Sequence, residues 1–211
     1  MSVSTRDRIL DTAERLFAKQ GFHVATLRQI TQNAGVNLAA VNYHFGSKQA
    51  LMRAIFKRRL DALNTARMYQ LDQALENNPP ELEEVLDAFV QPALAFTRGG
   101  DAEGQRFMQL LLRAFADRDT DLHQAMRQEY AHVMRRFADA IARALPDADP
   151  ERLRQQLDFI VGALTLTMAE SALKDTRIIA DELVRFAAAG LRAPTSKSAS
   201  HEARYSMEAR S

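Results

Sequence analysis

The 211-residue sequence contains no cysteine, which excludes disulfide bonds, thiolate zinc sites and cysteine nucleophiles. It also lacks any run near the roughly 20 consecutive apolar residues that a membrane span requires. The amino terminus has no apolar run followed by a small-residue cleavage site, so no secretory signal is expected. Together these absences predict a cytoplasmic protein that makes no membrane contact.

Glycine and proline are few, at eight and six residues, and the alternating pattern of a half-buried strand is absent. Apolar residues instead recur at spacings of three and four, which predicts an all-α protein. Capping residues and breaks divide this pattern into nine helices. The expected helices span residues 5–20, 27–34, 38–45, 48–76, 81–98, 102–117, 120–145, 150–173 and 177–191.

Several of these helices begin at a residue whose side chain can accept a hydrogen bond from the first free backbone amides. Thr26 and Gln29 have the spacing of a capping box, and Pro150 fits the first position of a helix, where no donor is needed. The predicted caps are Ser4 or Thr5, Thr26, Asn37, Ser47 and Asp149.

The net charge of +1 hides an asymmetry between the two ends of the chain. Residues 1–60 hold ten basic and three acidic side chains, a net charge of +7, which leaves −6 for the rest. A basic head on an acidic body is the distribution expected when only the head faces a polyanion. Chance variation among solvated helix faces is the alternative explanation.

Two short helices separated by residues 35–37, with a helix before them as a brace, form the pattern of a helix-turn-helix. The second helix of such a unit enters the major groove of DNA. We expect Leu38 and Val41 to face the supporting helices, while the small Ala39 and Ala40 allow close approach to base edges. Polar side chains for reading bases or phosphates are Asn42, Tyr43 and His44.

Phosphate contacts are expected at the edges of this unit. Lys48 lies at the start of the fourth helix, where its ammonium and the backbone amides can clamp one phosphate. Thr26 and Arg28 lie at the start of the second helix, and Lys57, Arg58 and Arg59 are expected on a solvated face. The candidate DNA-contacting residues are Thr26, Arg28, Asn37, Leu38, Ala39, Ala40, Asn42, Tyr43, His44 and Lys48.

Each of these polar residues also has a purely structural explanation. Tyr43 and His44 can simply close the end of a helix, and Asn42 can be solvated without reading a base. The basic head around them favours the functional interpretation.

Five stretches of the first 60 residues carry a family resemblance. They are Arg8 to Ala13, Leu16 to Phe22, Thr26 to Ile30, Ala34 to Val36 and Tyr43 to Leu51. In order and spacing they resemble the amino-terminal DNA-binding domain of TetR-family transcriptional regulators. Residues 36–45 look more specifically like a subgroup that includes fatty-acid-responsive repressors.

This resemblance implies a nine-helix TetR-like fold, in which a three-helix DNA-binding domain precedes a helical ligand-binding and dimerisation domain. It also implies DNA contacts by residues 37–44, with Thr26 and Lys48 on phosphates. Two positions depart from the common pattern, because Asn42 stands where an aromatic is frequent and Gln49 where an acid is frequent. The first departure makes Asn42 a candidate base reader.

A head of this size reads few base pairs, so a homodimer that reads two half-sites of a palindromic operator is expected. The resemblance implies that the last two helices form a four-helix bundle with their copies. Packing within one chain explains the same apolar stripes equally well. The candidate interface residues are Leu157, Ile160, Val161, Leu164, Met168, Ile179, Leu183 and Phe186.

Aromatic and methionine side chains of the middle helices can line an apolar cavity, although ordinary core packing also accounts for them. The candidates are Phe89, Phe96, Phe107, Met108, Leu111, Met134 and Phe137. The resemblance implies a small-molecule effector here, and the apolar lining indicates an acyl or aromatic compound. A charged effector would need a partner such as Arg106, Arg113 or Arg135. No cofactor and no metal are expected.

The chain therefore divides into a DNA-binding domain of residues 1–50, a ligand-binding and dimerisation domain of residues 51–193, and a flexible tail of residues 194–211. The fourth helix links the two domains. A ligand-released repressor is the predicted function. A helical adaptor that does not bind DNA and an enzyme without a recognisable motif are the alternatives, although no metal, phosphate-loop or nucleophile motif is present.

Overall fold

The computed structural model describes residues 4–95, 102–116, 120–169 and 175–194. These residues form nine helices and no strand, as predicted for an all-α protein. The helices are α1 (Thr5–Gln20), α2 (Leu27–Ala34), α3 (Leu38–Phe45), α4 (Lys48–Ala74), α5 (Leu82–Ala95), α6 (Ala102–Ala116), α7 (Thr120–Ala144), α8 (Pro150–Ala169) and α9 (Thr176–Arg192). The predicted tail lies outside the described residues, apart from the exposed Pro194.

The predicted caps are present where the helices begin. The side chains of Ser4, Asn37 and Ser47 accept hydrogen bonds from backbone amides three residues ahead, at 3.1, 2.9 and 3.0 Å. Thr26 and Gln29 form both bonds of the capping box, at 3.2 and 2.8 Å. Because a cap acts only on the next few residues, these starts could be predicted locally.

The first three helices enclose a small apolar core with the start of α4. Ile9, Phe17, Ile30 and Val41 are fully buried there, together with Ile55 of α4. Gly35 ends α2 in the left-handed region at φ 64°, and the Arg8 guanidinium donates to its carbonyl at 3.1 Å. This bond and the shared core fix the angle between α2 and α3.

The remaining helices pack around α4 and α5. α5 lies between α4 and α9, α7 contacts α4, α5 and α8, and α6 contacts both α8 and α1. α6 therefore joins the body to the first helix of the head. At 27 residues, α4 is about 40 Å long and runs from the head into the body.

An ion cluster ties α1 to α4. Glu14 is only 2% exposed, and its carboxylate accepts from Arg59 at 2.9 and 3.1 Å and from Arg58 at 2.8 Å. Arg58 also bonds to the exposed Asp11 at 2.7 Å. The expectation that Arg58 and Arg59 lie on a solvated face is therefore wrong, because both point towards α1 and are neutralised there.

Lys57 is exposed as expected, but it is also paired with acids. Its ammonium lies 3.2 Å from Asp61 on α4 and 2.6 Å from Glu129 on α7. The Tyr130 hydroxyl donates to the same Asp61 at 2.9 Å. These bonds attach α7 to the middle of α4.

We expect Glu14→Gln to lower the free energy of unfolding by about 3 kcal/mol, because it removes the buried carboxylate that Arg58 and Arg59 share. The matched control, Asp11→Asn, removes an exposed carboxylate from the same cluster and is expected to cost no more than about 1 kcal/mol. Urea denaturation at one fixed protein concentration measures both. Equal losses for the two variants would contradict a special role for the buried carboxylate.

Candidate functional site

Helix α3 buries one side chain fully, packs Ala40 and Phe45 partly against the core, and leaves the rest of its surface open. Val41 is fully buried against the supporting helices, as predicted, but Leu38 is 50% exposed and does not face them. Val41 lies in the middle of an eight-residue helix and Leu38 at its first residue, so we infer that the neighbouring helices cover only the former. Leu38 therefore belongs to the open surface.

The exposed residues of α3 follow the spacing of one helix face. Leu38, Ala39, Asn42 and Tyr43 are all exposed, and Tyr43 reaches 86%. Ala40 and His44 are partly buried, and the His44 ring stands edge-on to Tyr43 with 5.0 Å between centroids. The predicted base-reading residues are thus brought together on one outward surface.

Two of the predicted contact residues already use part of their hydrogen-bonding capacity. The Thr26 hydroxyl accepts from the Gln29 amide and lies 3.1 Å from its side-chain oxygen. The Asn37 side-chain oxygen is occupied by the Ala40 amide. The Asn37 side-chain nitrogen makes no bond within the described residues and is exposed, so it is a free donor beside α3.

Lys48 has a more constrained position than its sequence context predicts. Its ammonium lies 4.5 Å from the centroid of the Phe22 ring and 3.5 Å from the His23 carbonyl oxygen. Partial burial lowers the pKa of this amine. The ammonium is thus held beside the loop between α1 and α2, close to the first turn of α4.

Six basic residues of the head remain exposed and form no ion pair within the part of the chain that is described. They are Arg6, Arg8, Arg15, Lys19, Arg28 and Arg53, and of these Arg8 and Arg15 donate to carbonyl or hydroxyl oxygens. Arg28 was expected to contact DNA, whereas Arg6 was missed by the sequence reasoning. Its guanidinium lies 5.6 Å from the centroid of the Phe45 ring at the end of α3, and only its position just before the first apolar stripe marks it in the sequence.

The body encloses a mainly apolar cavity of about 280 Å³. Its walls come from α4, α5, α6, α7 and α8. The lining residues are Phe56, Leu60, Leu63, Arg67, Phe89, Phe107, Met108, Leu111, Leu122, Met126, Arg127, Met134, Val161, Leu164, Thr165 and Met168. α4 and α6 both line the cavity and both contact α1.

Five of the seven predicted cavity residues are among them: Phe89, Phe107, Met108, Leu111 and Met134. Phe137 does not line the cavity, because its buried ring stacks edge-on against Phe89 with centroids 5.0 Å apart. Phe96 lies outside the described residues. Neither Arg106 nor Arg135 lines the cavity, and the side chain of Arg113 lies outside the description.

The candidate interface residues divide between the interior and the surface. Leu157, Ile160, Leu164 and Met168 are buried within their own chain, so they have little surface left for a partner. Val161, Leu164 and Met168 line the cavity instead. Ile179 and Leu183 are partly buried, and Phe186 is 72% exposed.

The outer face of α8 supplies the apolar surface that the prediction assigned to its inner face. Phe159, Gly162 and Leu166 are exposed at helical spacing, and Ile178 and Phe186 are exposed on α9. The sequence shows apolar residues on more than half of the turn of α8, so it did not indicate which side faces the interior. The exposed apolar face of α8 is therefore opposite to the face that carries the candidate interface residues Leu157, Ile160 and Leu164.

No group of three or more histidine, aspartate or glutamate side chains converges as a set of metal ligands within the described residues. No described helix is long and apolar enough to cross a bilayer.

Two family models match the chain, one in each half. Residues 9–55 match the model described as bacterial regulatory proteins, tetR family. Residues 87–190 match the tetracyclin repressor-like C-terminal domain. The first model covers α2 and α3 with most of α1, and the second covers most of the cavity walls and the apolar faces of α8 and α9.

Curated relatives match over different lengths. The transcriptional regulator TtgW of Pseudomonas putida is 30% identical over 125 residues, which are 59% of this chain and 84% of TtgW. UidR of Escherichia coli is 25% identical over 81% of this chain and 85% of its own. A further relative, YerO of Bacillus subtilis, is 25% identical over 63% of this chain. The chain spans only 49%, about half, of the length of YerO.

A solved structure has the same fold. A TetR-like transcriptional regulator from a Rhodococcus species aligns over 92% of this chain and 99% of its own, with a TM-score of 0.67 and 20% identity. At this level of identity the likeness concerns the fold alone. It extends over both the head and the body.

Proposed function

The chain belongs to the TetR family of bacterial regulatory proteins, and from this membership we propose that it is a ligand-released transcriptional repressor that binds an operator as a homodimer. The observation that carries the proposal is the open face of α3, on which Leu38, Ala39, Asn42 and Tyr43 stand side by side beside unpaired cations. Neither an adaptor nor an enzyme is favoured by any contact described above.

The distribution of free charge supports a DNA-facing head. Lys57, Arg58 and Arg59 are paired with acids, so they contribute little attraction of their own. Arg28 is exposed, and Lys48 is held near the first turn of α4. Phosphates attract such cations regardless of sequence, which orients the head before bases are read.

Asn42 is the strongest candidate for base recognition. It is exposed in the middle of the open face of α3, and an asparagine side chain can bond adenine through two hydrogen bonds in the major groove. The small side chain of Ala39 allows the helix backbone to come close to the bases. The Tyr43 side chain is the most exposed of this face and suits a phosphate contact.

A second copy of the chain is proposed to cover the apolar faces of α8 and α9. Phe159, Leu166, Ile178 and Phe186 are large apolar side chains left exposed on these two helices, which is costly for a monomer. Gly162 lies on the same face of α8 and leaves room for a partner helix. A two-fold pair of this kind presents two heads to two half-sites.

Release of DNA by a small molecule is supported by the helices that line the cavity, because two of them also contact the head. Phe56 of α4 and Phe107 of α6 meet edge-on in its lining with 5.4 Å between ring centroids. Both helices also contact α1, so a ligand that displaces Phe107 would shift the support of the head. The likeness of residues 36–45 to fatty-acid-responsive repressors stays a prediction.

We expect Arg28→Ala and Lys48→Ala to weaken binding to every duplex and to flatten its salt dependence. Each change removes two cations from a dimer, so the slope of log K against log salt should become shallower by about 1.8. Lys57→Ala, whose ammonium is already paired with Asp61 and Glu129, is the control and should keep the wild-type slope. Fluorescence anisotropy at several salt concentrations measures this, and identical slopes for all variants would refute the phosphate contacts.

We expect Asn42→Ala to change base preference rather than only affinity. Loss of a two-bond contact with adenine should reduce discrimination at one position of each half-site by about tenfold or more. Tyr43→Phe, the control, should weaken all duplexes alike. Duplexes selected from random DNA, followed by competition among single-base variants, measure the preference. An unchanged preference in Asn42→Ala would show that this side chain does not read a base.

We expect Phe186→Asp to convert the dimer into monomers at micromolar concentration, because it places a charge on the proposed apolar interface. The control is Tyr69→Asp, which also replaces an exposed aromatic ring by a carboxylate, but on α4 rather than on α8 or α9; Tyr69 is 67% exposed. This variant should keep the mass of the dimer. Sedimentation velocity measures the mass. A dimer that survives Phe186→Asp would place the interface elsewhere.

A further inference from the structure

The cavity contains two cations in an otherwise apolar lining. Arg67 of α4 and Arg127 of α7 are its charged residues, and the other polar side chain is Thr165. The Thr165 hydroxyl donates to the Val161 carbonyl at 2.7 Å, so it is already bonded. The arginines are therefore the groups best placed to meet a polar part of a ligand.

Arg67 is fixed in position by neutral partners only. Its Nε atom donates to the Phe89 carbonyl at 2.9 Å, and its guanidinium carbon lies 3.8 Å from the centroid of the Phe89 ring. Its Nη1 atom makes a long bond of 3.4 Å to the side-chain oxygen of Asn64. No carboxylate of the described residues lies within ion-pair distance, so the remaining N–H donors lack an anionic partner.

This arrangement differs from that of Arg58 and Arg59 on the same helix. Arg58 and Arg59, which are also partly buried, share the Glu14 carboxylate. Burial lowers the pKa of the Arg67 guanidinium to about 9, which leaves it protonated at neutral pH. A partly buried cation without a counter-charge is unfavourable, and an anion brought by a ligand would compensate it.

The size of the cavity and its charge restrict the ligand. A water molecule, which has one non-hydrogen atom, occupies about 30 Å³, so the cavity of about 280 Å³ holds about nine non-hydrogen atoms. The planar fork of the Arg67 guanidinium matches a carboxylate and balances one negative charge. A phosphate monoester carries close to two charges, and its second charge would depend on Arg127, which is exposed and therefore screened by solvent.

We propose that the effector is a small monocarboxylate with an apolar body, whose carboxylate bonds to Arg67 while its body contacts the phenylalanines and methionines of the cavity. The inference rests on the proposed function, because it takes this cavity as the effector site. Arg127 is exposed and has the secondary role of attracting the anion to the cavity.

Binding of hexanoate and of its uncharged analogue hexanamide to the 211-residue chain tests the proposal, with benzoate and benzamide as an aromatic pair. The wild type should bind at least one carboxylate about tenfold to a hundredfold more tightly than the matching amide, as expected for hydrogen bonds to a charged group. Arg67→Met should remove this preference, and Arg67→Lys should retain part of it. Arg127→Met, the matched control, should keep the preference. Isothermal titration calorimetry without DNA measures each affinity.

Equal binding of acid and amide by the wild type, no binding of either pair, or an unchanged preference in Arg67→Met would overturn the proposal. Loss of the preference in Arg127→Met alone would also overturn it, because the carboxylate would then lie at the exposed arginine. Operator binding by the same preparations separates this inference from the proposed function. If the protein prefers carboxylates but binds no duplex, the proposed effector site is retained and the proposed repressor function is refuted. If it binds DNA without this preference, the repressor function is retained and the proposed effector site is refuted.

Discussion

The buried carboxylate of Glu14 is the constraint on which the placement of the head depends. It lies on α1 and holds Arg58 and Arg59 of α4 by hydrogen bonds of 2.8 to 3.2 Å. Charged partners at these distances inside a protein favour one geometry and are costly to separate. Since α1 braces the recognition helix and α4 continues into the body, this cluster sets how the two parts meet.

α4 connects the three features that the proposed function needs. Its first residue, Lys48, lies beside the loop after α1. Its middle carries the ion cluster, and its later turns supply Leu63 and Arg67 to the cavity. A ligand that contacts Arg67 is therefore attached to the same rigid helix that supports the head. α6 gives a second connection, because Phe107 lines the cavity while other parts of α6 contact α1.

The net charge of residues 1–60 overstates the number of free cations on the head. The excess of +7 in residues 1–60 indicated a basic head, yet Lys57, Arg58 and Arg59 are neutralised by acids. The cations left for a polyanion are fewer, and they include Arg28 of α2 and Lys48 at the start of α4. Conversely, no motif in the sequence singles out Arg67, because its position in an apolar cavity depends on contacts with Phe89, 22 residues further along the chain.

Local sequence patterns suffice for the elements that depend on neighbouring residues. The nine helices of the described residues, the caps at Thr26, Asn37 and Ser47, and the helix-turn-helix were predictable because caps, turns and apolar spacing act over a few positions. Only packing settles which face of α8 is exposed, that Leu38 points outward, that Phe137 lies behind Phe89, and that no acid among the described residues lies beside Arg67. Those features depend on side chains far apart in the chain, and only packing brings them together.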